Sequence, residues 1–169
     1  MASILNRRLL TGLLLLLLSC LILPVKAATT IPALSLTDPV PTLPLEPYLQ
    51  YAGTDRETGL DGALGLSYQP VTTSRISLGY VRQACWFRFR LENAGDGLLK
   101  LVIAIHFPML DHATLHIPAN TGVKVLTAGD AEPYGVRALQ VRFFNYPVDL
   151  AAGSGQDYYL RVDTSSSFI

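Results

Sequence analysis

Cys-Trp-Phe-Arg-Phe-Arg-Leu, residues 85–91, is the stretch that decides the fold class of this 169-residue chain. Apolar side chains fall at every second position, and two arginines and a tryptophan stand between them. A period of two indicates a β-strand with one face turned to a core. One face carries Cys85, Phe87, Phe89 and Leu91, and the other carries Trp86, Arg88 and Arg90.

Similar short runs, bounded by turn residues, lie on both sides of this stretch. The predicted strands are residues 48–51, 85–91, 98–107, 111–117, 123–127, 139–146 and 158–162. Residues 98–107 are apolar on both faces, which predicts a central strand in its sheet. Residues 59–66 are predicted to form a loop or a single helical turn. Short strands with no convincing helix between them predict an all-β antiparallel sandwich of the jelly-roll type.

Residues 1–27 have the order of a secretory signal peptide. Arg7 and Arg8 precede an apolar run over residues 9–23, and small residues follow at the predicted cleavage site, residues 25–27. An uncleaved anchor is the alternative, but the run is shorter than the roughly 20 residues that span a bilayer. We therefore expect export to the periplasm and removal of this segment.

Cys20 allows a further alternative to a cleaved signal peptide, namely a lipid anchor. The sequence Leu-Leu-Ser-Cys at residues 17–20 resembles a lipobox, which would make Cys20 the site of a lipid anchor; Leu18 and the apolar residues after Cys20 depart from that pattern. Cleavage after residue 27 leaves Cys85 as a single cysteine, so no intramolecular disulfide is expected. Cys85 is predicted to be a buried, unreactive side chain.

The next segment, residues 28–47, contains five prolines and is predicted to be an extended leader without helix or inner strand. Its apolar residues are expected to lie partly along the folded domain, which we place at residues 48–169. Thirteen basic and thirteen acidic residues cancel. Without a basic face, a nucleic-acid partner is not expected.

Several motifs occur in an order that resembles a known family. They are the aromatic strand and turn of residues 48–55, Leu-Gly-Tyr at 78–80, Trp-Phe-Arg at 86–88 with Asn93, Pro-Met-Leu-Asp-His at 108–112, Gly129-Asp130 with Arg137, and Tyr-Tyr-Leu-Arg-Val at 158–162. Together they resemble 7TMR-DISMED2, an extracellular sensory domain of bacterial receptors with diverse intracellular signalling modules.

The resemblance implies a periplasmic jelly roll similar to carbohydrate-binding modules. In the family this domain precedes seven membrane-spanning helices and an output module such as a diguanylate cyclase or a histidine kinase. The family's domain continues past residues 165–167 into one more strand, whereas this sequence stops at Ile169. The expectation is either a fragment of a receptor or a stand-alone remnant, with the final strand of the sandwich missing.

The first candidates for ligand contact share one strand face: Trp86, Arg88 and Arg90. A tryptophan face stacks on sugar rings or cations, and the arginine fork binds carboxylate or phosphate. The alternative is that Trp86 fills the second side of a core, while the arginines are solvated or paired with acidic residues on neighbouring strands.

Asp111, Asp130 and Arg137 are the polar residues that the resemblance marks most firmly. They fit a cleft in which Arg137 holds an anionic group and an aspartate accepts hydrogen bonds. The alternative is structural: an aspartate that fixes a turn, and an ion pair between Asp130 and Arg137 that closes a loop.

Metal binding and catalysis find little support in the sequence. His112 and His116 have a zinc spacing for a helix, but on a strand they are about 13 Å apart, at roughly 3.3 Å per residue. No serine lies in a nucleophile elbow, and no carboxylate pair is marked by its spacing. We expect no metal, no cofactor and no enzymatic activity.

The sequence thus predicts a sensor domain that binds a small polar ligand, namely a sugar, an amino acid or another carboxylate, near Trp86, Arg88 and Arg137. Binding would bias a conformational or dimerisation equilibrium, and a ligand does so only through different affinities for the two states. The alternatives are a stand-alone secreted or lipid-anchored carbohydrate-binding protein and, more remotely, a hydrolase on the same scaffold.

Overall fold

A computed structural model describes residues 30–38, 40–72, 79–80, 83–165 and 167–168; the predicted signal peptide lies outside them. The strands are β1 (Ala33–Leu36), β2 (Gln50–Thr54), β3 (Gln69–Pro70), β4 (Gly79–Tyr80), β5 (Ala84–Asn93), β6 (Leu99–Ile105), β7 (His112–Ala119), β8 (Gly122–Ala128), β9 (Phe144–Leu150), β10 (Gly155–Asp163) and β11 (Ser167–Phe168). One short helix, α1 (Leu60–Leu64), and two 3₁₀ turns (Glu46–Tyr48 and Tyr134–Val136) complete the described elements.

The large sheet has the strand order β3-β2-β5-β10-β7-β8. β1 pairs in parallel with the C-terminal part of β5. Its other pairings are antiparallel. β5 lies between β2 and β1 on one side and β10 on the other, which explains why it is buried almost throughout. The alternating stretch that indicated the fold is therefore the middle of the main sheet.

The second layer is the antiparallel pair β6-β9. Its inward side chains include Leu99, Ile103, Phe144, Tyr146, Val148 and Leu150, and they pack on the apolar face of β5, β7 and β10. The Tyr146 hydroxyl donates a hydrogen bond to the Ala113 carbonyl at 2.9 Å and so ties the two layers together. The rings of Phe89 and Tyr158 stack at 5.2 Å within this core. The predicted all-β sandwich is confirmed.

Both strands of the second layer were predicted, but the central position of the first and the start of the second were wrong. Residues 98–107 were predicted to form a central strand, but β6 pairs with β9 alone in the part of the chain that the structure describes. Its outward residue Val102 is exposed, so its apolar character does not reflect burial on both faces. The strand predicted at 139–146 begins at Phe144 and continues through Pro147, which an edge strand tolerates because one side of its backbone needs no donor.

The leader contributes directly to the core. Leu34 and Leu36 are 8% and 6% exposed, and the Leu36 carbonyl accepts a hydrogen bond from the Ala94 amide at 2.9 Å. The expectation that leader residues lie along the domain is confirmed for β1. The first strand predicted at 48–51 is displaced: a 3₁₀ turn occupies Glu46–Tyr48, and β2 begins at Gln50.

The last described residues, Ser167 and Phe168, form a short strand, β11. β11 pairs with β4 in a separate antiparallel ribbon. Cys85 is buried, as predicted, and burial raises the pKa of its thiol, with the nearby charge of Asp163 acting in the same direction.

Candidate functional site

Trp86 lies in a second, smaller core on the outer face of the large sheet. The indole is fully buried, together with Ala52, Ala63, Tyr68 and Tyr159. Helix α1 supplies Ala63, and the Tyr68 hydroxyl donates to the Ala63 carbonyl at 3.1 Å, which fastens this layer over the sheet. Trp86 also contacts the ring of His116, with centroids 5.2 Å apart. Its face is not open for stacking on a ligand while α1 is in place.

Arg88 belongs to the same layer. Its Nε donates to Gln50 Oε1 at 2.8 Å, and its guanidinium lies 4.2 Å from the centre of the Tyr68 ring. A buried cation needs such contacts to offset its loss of water. Burial raises the pKa of Tyr68, and its hydroxyl remains a neutral donor. Arg88 thus holds β2, β5 and the segment after α1 together.

A polar cleft of about 360 Å³ lies at the C-terminal end of β5. It is lined by Ser35 of β1, by Arg90 and Glu92, and by the turn before β10. Arg90 donates to Glu92 at 2.9 Å and to Asp157 at 2.7 Å. Because both partners are carboxylates, this guanidinium is already neutralised and is a poor receptor for an anion. The sequence did not predict this cleft, since Asp157 reaches Arg90 only through the pairing of β5 with β10.

Asp111 fastens Ser165, which follows β10, to the turn before β7. Its Oδ2 accepts hydrogen bonds from the Ser165 amide at 2.6 Å and from the Ser165 hydroxyl at 2.7 Å. These bonds hold the pKa of the Asp111 carboxyl below its ordinary value. The geometry matches the structural interpretation of this aspartate, with one difference: the segment that it fixes is distant in sequence.

Arg137 has a different environment. Its guanidinium donates to the Gly129 carbonyl at 2.8 Å and to the Val141 carbonyl at 3.3 Å. The rings of Tyr134 and Phe144 lie 5.1 and 5.0 Å from it. Its Nε is buried and has no hydrogen-bond partner among the described residues.

The charge on Arg137 is not balanced by a nearby acid. Within the described ranges, no carboxylate lies within 4.0 Å of this guanidinium. The ion pair considered between Asp130 and Arg137 therefore does not form; the arginine binds backbone carbonyls instead. Asp130 is exposed on the surface of the same loop.

The loop that carries Arg137 is packed on the Asp111 turn. The Asp130 amide donates to the Leu110 carbonyl at 2.7 Å, and the Ala131 amide donates to the Asp111 carbonyl at 3.1 Å. Gly129 has a φ of +157°, and a β-carbon there would collide with the Asp111 carbonyl, so only glycine permits this close approach. Asp111, Asp130 and Arg137 thus share one end of the sandwich. Trp86 lies instead in the small core with Ala63 and Tyr68, and Arg88 contacts Gln50 and Tyr68. The five predicted residues do not form one cleft.

The histidines do not converge. His112 Nδ1 lies 2.7 Å from Glu132 Oε1, whereas His116 packs on Trp86. Burial, and then the charge of Arg161, lower the pKa of His116. Among the described residues, no group of three or more histidine, cysteine, aspartate or glutamate side chains is placed to hold a metal ion.

None of the helices in the described part of the chain has the length and apolar character needed to cross a bilayer. A search of curated proteins finds no match to the chain.

The class of protein follows from the fold, an all-β sandwich of one large and one small sheet, together with the family comparison. Residues 50–169 match the family model 7TMR-DISM extracellular 2, and the chain belongs to that family. The family is an extracellular sensor domain of membrane receptors and has no catalytic role as a domain. The resemblance seen in the sequence is confirmed, and the domain lies outside the cytoplasm.

Proposed function

We propose that this domain senses a small anionic ligand in the periplasm, on behalf of a bacterial membrane receptor, and that Arg137 binds the ligand's carboxylate. The family supports a sensory role for the domain. Export through residues 1–27 and an attached output module, such as a diguanylate cyclase or a histidine kinase, are parts of this proposal.

The observation that carries the proposal is the unbalanced charge of Arg137. Arg90 is paired with two carboxylates and Arg161 donates to Asp163, whereas Arg137 is bound to neutral carbonyls and aromatic rings. A guanidinium held in this way keeps its positive field, and a carboxylate that displaces the carbonyls of Gly129 and Val141 would meet a planar fork of donors. The neighbouring Tyr134 is half exposed and gives the ligand an apolar wall.

Signalling follows if the ligand binds one arrangement of the 129–143 loop better than another. Arg137 holds the Gly129 carbonyl, which follows directly on β8. A carboxylate that competes for the same donors would change how this loop is fastened. The shift in equilibrium is limited by the difference in affinity between the two arrangements.

The test is a thermal-shift screen of organic acids, amino acids and neutral sugars, followed by calorimetric titration of any ligand that raises the melting temperature. We expect hits among the carboxylates. Arg137→Gln should weaken binding by about 10- to 100-fold, the usual effect of losing a charged hydrogen bond. Arg137→Lys should keep only part of the parent's affinity for the ligand, because an ammonium lacks the planar fork.

Arg142→Gln is the matched control. Arg142 lies on the same loop and is exposed, and its guanidinium lies 5.8 Å from the centre of the Phe143 ring. Removing the charge of Arg142 should leave the affinity for the carboxylate ligand within about twofold of the parent's. Undiminished binding by a folded Arg137→Gln variant, or hits confined to neutral sugars, would refute the proposed role of Arg137.

A further inference from the structure

The loop between β8 and β9 exposes a group of apolar side chains. Tyr134, Val136, Leu139, Val141 and Phe143 are each 37 to 51% exposed. Every residue from 138 to 143 is exposed, so this segment stands out from the body of the sandwich. Single exposed apolar residues are ordinary on a protein surface, whereas a contiguous group marks a contact site.

The same loop carries positive charge without acidic residues. From residue 133 to residue 148 the sequence contains Arg137 and Arg142 and no aspartate or glutamate. Arg142 is exposed, and its guanidinium lies close to the Phe143 ring. An arginine can lay its apolar stem along an apolar surface and keep its charged group at the edge. The loop therefore combines projecting apolar side chains with cationic groups.

The backbone of the loop is hydrogen-bonded where the apolar side chains project. The Leu139 carbonyl accepts the Val141 amide at 3.0 Å, and the Val141 carbonyl accepts a bond from Arg137. The Phe143 carbonyl accepts Asn145 Nδ2 at 3.0 Å. A carbonyl that leaves water without a partner is costly. These three bonds therefore lower the cost of moving the loop into an apolar environment.

The loop lies at the end of the sandwich where the chain leaves the main sheet. β8 and β10 both end there, since the last residues of each strand pair with the start of β7. Ser165, which follows β10, is bound to Asp111 in the turn on which the loop is packed. Met109, two residues before Asp111, adds an exposed apolar side chain at this end. In a receptor whose membrane part follows this domain, this end faces the membrane; that orientation rests on the proposed function.

We propose that residues 134–143, together with Met109, dock on the phospholipid surface of the membrane. The apolar side chains enter the interfacial layer, and Arg142 contacts anionic headgroups. A lipid surface requires no matching shape, only projecting apolar groups and complementary charge. Aromatic side chains such as Tyr134 are favoured at that depth. Docking leaves Arg137 bound to its carbonyls, so it does not require the carboxylate ligand.

The first test is co-sedimentation of the chain with vesicles of phosphatidylcholine, with or without phosphatidylglycerol. The chain should bind the anionic vesicles at least about tenfold more tightly than the neutral ones. Val141→Asp should weaken binding to the anionic vesicles at least about tenfold. Val102→Asp is the control, since Val102 is a comparably exposed valine on β6, and it should leave binding within about twofold.

Arg142→Gln separates this proposal from the carboxylate site. It should weaken binding to the anionic vesicles about fivefold, the effect of one cation near a charged lipid surface, while its affinity for a carboxylate ligand stays close to the parent's. Vesicle binding without any carboxylate ligand would refute the ligand alone, and a carboxylate ligand without vesicle binding would refute the docking alone.

The second test places a tryptophan in the loop, so that binding through residues 1–27 cannot be mistaken for docking. On anionic vesicles, the fluorescence of Phe143→Trp should shift to the blue and be quenched by lipids brominated in the acyl chains. Val102→Trp should show neither effect, and the parent, whose single tryptophan is Trp86, gives the background. An unshifted loop tryptophan, or equal losses of vesicle binding in Val141→Asp and Val102→Asp, would overturn the proposal. A loop that is covered by a protein partner in place of lipid would give the unshifted result and overturn it as well.

Discussion

Asn93 connects three backbone segments at one end of the sandwich. Its side chain is 2% exposed, and its Nδ2 donates to the carbonyls of Gly97, Leu150 and Ala151 at 2.7, 3.0 and 3.1 Å. Its Oδ1 accepts the Gly95 amide at 2.9 Å. In the sequence this residue stands out only as one position of the motifs that carry the family resemblance. Its larger role depends on Leu150, which is remote in sequence.

Replacing Asn93 with alanine should strongly destabilise the fold. The change leaves buried carbonyls without donors, so the free energy of unfolding should fall by about 2 to 4 kcal/mol. Urea unfolding followed by the fluorescence of Trp86 measures this loss. Asn145→Ala is the control, because its amide makes an exposed bond to Phe143; its effect should stay within about 0.5 kcal/mol. Equal effects would contradict the central role of Asn93.

Asp111 should make stability depend on pH in the acid range. Its folded pKa is lowered by the two hydrogen bonds from Ser165. The ionised carboxylate therefore stabilises the fold above the unfolded pKa, about 3.9, and this contribution is lost as the pH falls through the lowered value.

The comparison that tests this is the urea midpoint of the parent and of Asp111→Asn at pH 7 and near pH 2.5. The variant should have a lower urea midpoint than the parent at pH 7, and the difference between the two midpoints should be smaller near pH 2.5. Asp96→Asn, at an exposed turn, should follow the parent at both pH values. A gap of the same size at both pH values would show that the Asp111 charge is not involved.

At the scale of elements, β1 shows that the folded unit extends beyond the family match. The match begins at residue 50, yet Leu34 and Leu36 of β1 pack into the main core. Strand β1 covers the part of β5 that β2 does not reach. β1 therefore gives residues 90–93 of β5 a strand partner on the side where β2 has ended.

Leu34→Ala should lower the free energy of unfolding by about 2 to 3 kcal/mol, the usual cost of removing buried methyl groups. Leu43→Ala, at an exposed leader position, should change it by less than about 0.5 kcal/mol. Chemical denaturation of both variants gives the comparison. If Leu34→Ala were as stable as Leu43→Ala, β1 would not contribute to the core in solution.

At the scale of the whole molecule, the two faces of the large sheet differ. The inner face meets β6 and β9, and the outer face is partly covered by α1, Tyr68 and the residues around Trp86. Both faces of β5 are therefore buried, although its sequence alternates in the way expected of a strand with one buried face. Trp86 and Arg88 contact this covering layer. The other candidate residues, Asp111, Asp130 and Arg137, lie in loops at one end of the sandwich. The proposed ligand site lies in the loop after β8, around Arg137.

The sequence by itself determined the strand character of residues 85–91, 112–117 and 158–162, the all-β class and the family, because period-two patterns and short motifs are local properties. It also indicated Arg137 as a polar residue of interest. Only the tertiary structure decided that Trp86 is buried, that Arg90 is neutralised by Asp157, and that Arg137 has carbonyls instead of an acid as partners. The physical reason is that a side chain's burial and charge balance depend on which distant strands and loops pack against it, and strand pairing is not encoded in the local pattern.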